Sequence, residues 1–582
     1  MDFKKIFRYM GREGVYMNYK KITSMILSLS ILGTIGSGTV ASAAELPPEI
    51  PSGGMPEGEM PPGGFNVNKG SEVESTGVLL VDGTTETKSD VTLTAYESNE
   101  SPVKVTNGGS LKLSDSELVK SSGEMTVEEA SDFFGANAGF LASEGSTATI
   151  ENTTITTTAS GGNAVFATGE GTKVNLNNVT INTTKDHSRG LDATYQGEIN
   201  ADTVKINTAG SHCAAVATDR GEGTVNVTNS ELNTRGEGSP CVYSTGDINV
   251  SNTTGLATGS SLAVIEGKNS IELDNCDLTA YAIGRGNGGV DDTGVMVYQS
   301  MSGDADNGVG TFSVKDSSLT ISEDSSKYET APMFFVTNTD AVINVENTQL
   351  SFGSKVLLNA SGNNGEWGKA GSNAGNVQFN AVNQNLEGEI TVDNISSAHI
   401  NLSSSTLTST INTANTAKEV NLKLDESSIW NVTGTSYISS LSDDDATLSN
   451  IKDNGNTIYY DINNADNTWL NGETVELNDG GKLVPIEMSS TSTSFSESSD
   501  SKDGWKIENN KWYFNSYGQY KKGWYKDTNS KWYMLDNSTG EMITGWFKDS
   551  DGSWYYLKDN GEMACNESVD GYYLGADGVM EK

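Results

Sequence analysis

Asp291 and Asp292 follow Arg285 within one glycine-rich stretch, GRGNGGVDDTG. Adjacent carboxylates can hold a hard cation, and a neighbouring arginine can neutralise and help deprotonate a carboxylated substrate. These three residues are the catalytic candidates of the chain, and weak ones. Asp443-Asp444-Asp445 and the pair Asp304/Asp306 offer weak Ca2+ binding at most, because neither matches a strict calcium-loop signature. No cofactor is otherwise expected. Cys213 and Cys241 end the matching phrases GSHC and GSPC, a placement compatible with a disulfide in an exported chain or with two buried thiols. Cys276 and Cys565 lack evident partners, and His187, His212 and His399 are scattered, so no metal site is expected. The densest chemistry is aromatic. Six of the nine tryptophans lie after residue 500. Open aromatic stacks bind sugar faces, although some of these rings must pack hairpin against hairpin.

These residues must be positioned by a chain of 582 residues with net charge −40. That length predicts several domains or one repeat array. The acidity excludes nucleic acid, whose binding needs concentrated Lys/Arg, and disfavours anionic membranes. Residues 1–43 hold six basic and two acidic residues, and 501–582 hold ten and thirteen, which leaves −41 for 44–500. A face of that charge repels polyuronates. Lys20 and Lys21, an apolar run from Ile22 to Ile35 and Ala41-Ser42-Ala43 form a secretory signal over 1–43, with translation starting at Met1 or Met17. No membrane span is expected after its removal. Six of ten prolines fall in 47–64, so 44–69 reads as an extended linker.

The middle repeats an eight-residue phrase: apolar, polar, apolar, polar, a corner residue, two free positions and a final apolar residue. It reads VNLNNVTI at 174, VNVTNSEL at 225 and IELDNCDL at 271. Eleven copies place Asp115, Asn152, Asn178, Thr203, Asn229, Asn252, Asn275, Asp316, Asn347, Ser404 and Glu426 at the fifth position. Alternation puts the first and third residues on one face of a short strand, and Asn or Asp tolerates the left-handed corner that follows. A turn of about two dozen residues cannot bury its own face, so equivalent strands stack in parallel. The expected fold is all-β, a right-handed parallel β-helix over 70–486. The corner asparagines are expected to form an internal ladder. Longer intervals, such as 271 to 312, predict projecting loops.

This pattern resembles the pectate-lyase-like solenoid family, and LKLDESSIWNVTGTSYISSL (422–441) resembles the closing coils of bacterial adhesins. Many enzymes of that fold cleave acidic polysaccharides. The motifs of polygalacturonase-type hydrolases are incomplete here: Asn338-Thr339-Asp340 and Asp291-Asp292 occur in the wrong order, and the His and Arg motifs are missing. Asn338 follows an apolar run where a turn is due.

After a serine-rich linker at 487–503, residues 504–582 repeat Gly-Trp and Trp-Tyr at 19 to 22 residues, each unit a β-hairpin too small to fold alone. They resemble choline-binding cell-wall repeats. The resemblance implies aromatic cages between consecutive hairpins, holding a quaternary ammonium by cation–π attraction. The lining residues would be Trp505, Trp512, Trp524, Trp532, Tyr533, Trp546, Trp554 and Tyr555, with Met542 and Met563 as floor and Tyr513 and Tyr556 as packing residues.

The sequence therefore reads as a secreted, monomeric surface protein of a Gram-positive cell wall. Its repeats would hold wall polymer, either choline-substituted teichoic acid or glycan. Its β-helix would be a non-enzymatic adhesin stalk meeting a host or bacterial surface glycan or protein. The alternative is a wall-attached polysaccharide lyase or glycoside hydrolase.

Overall fold

The repeated phrase requires a left-handed corner at its fifth position, and the backbone has it. In ten of the eleven copies that residue has φ between 44° and 57°, Glu426 being the exception. The computed structural model describes residues 73–285, 291–488 and, in the tail, 504–508, 511–516, 519–526, 531–536, 539–549, 553–558, 561–569, 571–575 and 578–581. The expected signal and both linkers lie outside these residues, except for Glu487 and Met488.

Strands before and after each corner stack in parallel on their counterparts one coil away. Twelve parallel strands, from Thr76–Asp82 to Glu389–Val392, form one sheet of the coil. Two further strips begin at Thr85–Ser89 and Thr92–Ala95. They fuse where Lys173–Thr183 and Glu198–Thr208 run through the corner unbroken. Register places like on like. Val174, Ile199, Val225, Ile248, Ile271 and Phe312 follow one another up the interior, all fully buried. This is the parallel β-helix expected from the repeat.

The asparagine ladder exists, but it lies outside. Asn152 donates to Asp115 at 3.1 Å, Asn178 to Asn152 at 2.8 Å and Asn275 to Asn252 at 2.7 Å, all on the exposed corner. A left-handed residue at a convex corner turns its side chain to solvent. The buried ladder uses the next residue instead. The amides of Val204, Ser230, Cys276 and Ser405 donate to the hydroxyls of Ser230, Thr253, Ser317 and Ser428 in the following coil.

Between Lys120 and Phe140 the coil carries an unanticipated helix, α1 (Glu128–Phe134). Glu128 and Glu129 suit its positive N-terminal end, and Gly135 at φ 63° ends it in the left-handed conformation. At the C-terminal end Trp430 is fully buried, and Val475–Glu476 pairs antiparallel to Lys482–Ile486, breaking the parallel stack there. Among the described residues no helix is long and apolar enough to cross a membrane.

The tail is a separate series of antiparallel hairpins. Gly504–Glu508 pairs with Lys511–Ser516, Gly523–Lys526 with Trp532–Leu535, and Gly545–Lys548 with Trp554–Leu557. Glu567–Val569 pairs with Tyr572–Leu574.

Candidate functional site

Outward positions along the middle of the twelve-stranded sheet are covered, and the row includes a charged side chain. Asp192 stands on Leu191–Thr194, and in the next two coils the register sets Ala217 and then Tyr243 beside it. Helix α1 flanks one side of this row, and the segment around Gly284, Arg285 and Asp291 the other. Between them lies a cleft of about 420 Å³.

Arg189 is at its centre. Its Nη1 lies 2.9 Å from Asp132 Oδ1, and its Nε 2.8 Å from Asp219 Oδ2 and 3.6 Å from Asp192 Oδ2. Burial alone would raise Asp132, but Arg189 and the hydrogen bond from His187 outweigh it and hold the carboxyl below its ordinary range. His187 Nδ1 lies 3.1 Å from Asp132 Oδ2, and this contact raises the imidazole. On the second pair burial prevails. It pushes Asp219 up to about 7 against the pull of Arg189, and Asp192 well above its usual value, reinforced by the charge of Asp219. Carboxyls driven apart in this way are the usual starting material of acid–base sites, and structural ion-pair networks produce them too.

A pH dependence follows with a definite sign. Asp219 and His187 both hold protons more tightly folded than unfolded. Their stabilising effect is complete below their unfolded values and is lost as pH rises through their folded ones. For Asp219 the window runs from 3.8 to about 7. Thermal unfolding of the coil should therefore fall in midpoint across that window, and Asp219→Asn should flatten the slope. An unchanged slope in the variant would show that Asp219 is not the titrating group.

The expected catalytic candidates divide. Asp291 lines the cleft with Arg285; its Oδ2 accepts from the Arg285 amide at 2.9 Å. Asp292 does not line it: Oδ1 accepts from the Gly284 amide, and Oδ2 pairs with Lys327 at 2.6 Å. Sequence reading passed over Asp132, Arg189 and Asp219. The available signal was that Arg189, Arg220 and Arg285 are three of only four arginines after residue 43. The histidines are not all scattered, since the rings of His187 and His212 lie 5.3 Å apart. Glu128, Asp132 and His187 bring three potential ligand atoms within 4.8 Å, with the guanidinium of Arg189 already on Asp132.

Of the acidic runs, Asp304 pairs with Arg220 at 2.5 Å and Asp306 with Lys268 at 3.2 Å. Both oxygens of Asp445 accept bonds from Thr447 and Ser449. Asn338 sits at a corner with φ 54°. Cys213 and Cys241 are free buried thiols, each pushed up to about 12 by burial. The matching phrases mislead because Val216 pairs with Val242, which puts Cys213 level with Ser239, to whose hydroxyl its amide donates at 2.9 Å. No disulfide joins them.

In the tail, the register sets Trp524 opposite Met534 and Trp546 opposite Tyr556. Trp524 stands edge-on to Trp532 (6.4 Å, 86°) and to Tyr555 of the next hairpin (4.9 Å, 68°). Trp546 repeats this with Trp554 (6.4 Å, 77°) and with Tyr572 of the following hairpin (5.6 Å, 84°). Lys526 and Lys548 each place an ammonium 5.7 Å from the centroid of Trp532 and Trp554. Perpendicular rings make walls, and the faces of these two already attract a cation. Tyr533 and Tyr555 are buried, Tyr555 within the hairpin core beside Met534 and Leu557, whereas Tyr556 packs against Trp546 at 5.3 Å. Strand alternation thus sends Tyr555 into the core, where it still meets Trp524, while Tyr556 faces Trp546. Tyr513 stacks on Tyr520 at 4.5 Å. Met542 and Met563 occupy equivalent places: a Cβ on Gly561 would fall 2.2 Å from Met542 Sδ, and one on Gly578 2.6 Å from Met563 Sδ. Trp512 is exposed, and the side chain of Trp505 lies outside the described residues.

A family model, the choline-binding repeat, matches residues 537–568. Among solved structures, CbpJ of Streptococcus pneumoniae TIGR4 is 43% identical over 14% of this chain and 27% of its own, with a TM-score of 0.13. The choline-binding domain of Spr1274 from Streptococcus pneumoniae is 42% identical over 14% of this chain and 96% of its own (TM-score 0.13). Choline-binding protein F from that species, crystallised in the presence of a peptidoglycan analogue, is 33% identical over 19% and 33% (TM-score 0.14). The chain thus spans about a quarter to a third of the CbpJ and choline-binding protein F chains. No curated protein matches. The tail that follows the parallel β-helix belongs to the choline-binding repeat family.

Proposed function

We propose that this is a wall-attached surface protein, held non-covalently by its tail on choline-bearing or glycan wall polymer of a Gram-positive bacterium, with the β-helix as a non-enzymatic interaction stalk. One observation carries the anchoring: two consecutive hairpins repeat the same right-angled tryptophan pair, with a further ring from the next hairpin and an ammonium over one face. A trimethylammonium group fits such walls because its charge is diffuse and weakly hydrated, so desolvation costs little against cation–π attraction. Two sites of modest affinity on one chain reinforce each other on a polymer that repeats the ligand.

The test is retention. Deleting 504–582, or washing cells with free choline, should release the protein into the medium, and full retention under both treatments would sink the anchoring. The alternative of a wall-attached lyase or hydrolase has the buried Asp192–Asp219 pair in its favour. Reducing or unsaturated ends released from a polysaccharide panel would establish it.

A further inference from the structure

The cleft around Arg189 contains acceptors that the protein leaves unused. Asp291 is 5% exposed, and its Oδ1 receives no hydrogen bond. Asp219 is 4% exposed and receives none at Oδ2 beyond its ion pair with Arg189. Both line the cleft, and its volume falls in the range of ligand pockets. A buried acceptor without a donor is costly, so an occupant that brings donors is favoured.

The remaining groups narrow the class of occupant. A quaternary ammonium would need an aromatic cage, and a primary ammonium would need free carboxylates, whereas Asp132, Asp219 and Asp304 already pair with Arg189 or Arg220. Of the cleft's rings, Phe133 is already covered by the guanidinium of Arg220 at 3.8 Å. A metal ion would meet the fixed charge of Arg189, while the two oxygens of Asp132 are already engaged by Arg189 and His187. An anion would meet five lining carboxylates against two lining arginines. What fits is a neutral molecule that donates and accepts at short intervals and also shows an apolar face. His212 is held below its ordinary value by burial, so near neutral pH it can both donate and accept. Arg285 adds a donor fork, and Tyr243, Met296 and Pro240 add apolar surface.

We propose that this cleft binds a neutral, hydroxyl-rich saccharide, with Asp219 and Asp291 accepting from its hydroxyls and Arg285 and His212 donating to its oxygens. The proposal deepens the interaction-stalk reading and rests on it, but it is independent of the tail. Two neighbouring hydroxyls of a sugar ring can engage one carboxylate together, and the ring's C–H face can lie on Tyr243.

The full chain, with its tail saturated by free choline, should be titrated calorimetrically with neutral hexose and N-acetylhexosamine oligosaccharides of wall and host types. At least one should bind. Asp219→Asn and Arg285→Gln should each weaken that binding tenfold or more at an unlowered unfolding midpoint, while Trp554→Leu leaves it unchanged. Binding unaffected by both cleft variants, binding of none of these sugars, or binding of uronates or peptides alone would overturn the proposal. Adherence of protein-coated beads to target cells separates the two readings. Adherence that survives both variants refutes the cleft alone, and absence of adherence in the parent chain refutes the stalk.

Discussion

Arg189→Met is expected to destabilise the β-helix by about 3–5 kcal/mol, the largest effect of any single substitution in the cleft. Arg189 is the shared cation of Asp132, Asp192 and Asp219, each less than a tenth exposed. Removing it leaves carboxylates facing one another away from water, and methionine fills much of the volume, so the loss is electrostatic rather than a cavity. Neither oxygen of Asp192 has a hydrogen bond to fall back on. The deficit should shrink on acidification, since protonation removes the repulsion. Urea unfolding at pH 7 and at pH 5 measures both points. Equal stability of variant and parent at pH 7 would mean that the network is relaxed by water. Partial recovery in Arg189→Met with Asp192→Asn would assign the cost to the buried charge.

The second large effect concerns the tail. Trp532→Leu and Trp554→Leu should each cost about 2 kcal/mol in choline binding, roughly thirtyfold, and the double variant should wash off the wall at low choline. These two rings are chosen because they are partly exposed and each forms one wall of a right-angled pair, whereas Trp524 also packs on the Met534–Tyr555–Leu557 core. Tyr555→Leu should instead unfold the hairpin stack, because Tyr555 is 4% exposed. Fluorescence titration with choline, read beside the far-ultraviolet circular dichroism, distinguishes a lost wall from a lost fold. Unchanged choline affinity in both single variants would refute the cage.

How much of this was legible beforehand depended on the range of the interactions. The corner residues announced themselves because a left-handed turn selects Asn and Asp locally, and ten of eleven have that conformation. Stacking followed from the period, since one coil cannot bury its own apolar face. The tail's tryptophans were legible for the same reason: hairpin repeats keep their spacing in the chain. Two of the failures were matters of register or direction. The matching phrases GSHC and GSPC suggested a cysteine pair, yet an offset of two positions set Cys213 on Ser239. The asparagine ladder was expected inside, and the convexity of the corner turned it out.

The cleft was the least legible feature. Asp132, Arg189 and Asp219 are separated by 57 and 30 positions, and each looks unremarkable in its own segment. They meet because an insertion forms α1 against the sheet face, and because parallel stacking returns the chain to the same place once per coil. Sequence alone determined the coil, its corners and the aromatic tail, all set by neighbours within a few residues or one period. Tertiary structure alone decided which outward side chains lost their water, and with it which carboxylates share one guanidinium. Desolvation depends on what covers a residue, and the residues that cover this cleft are far from it in the chain.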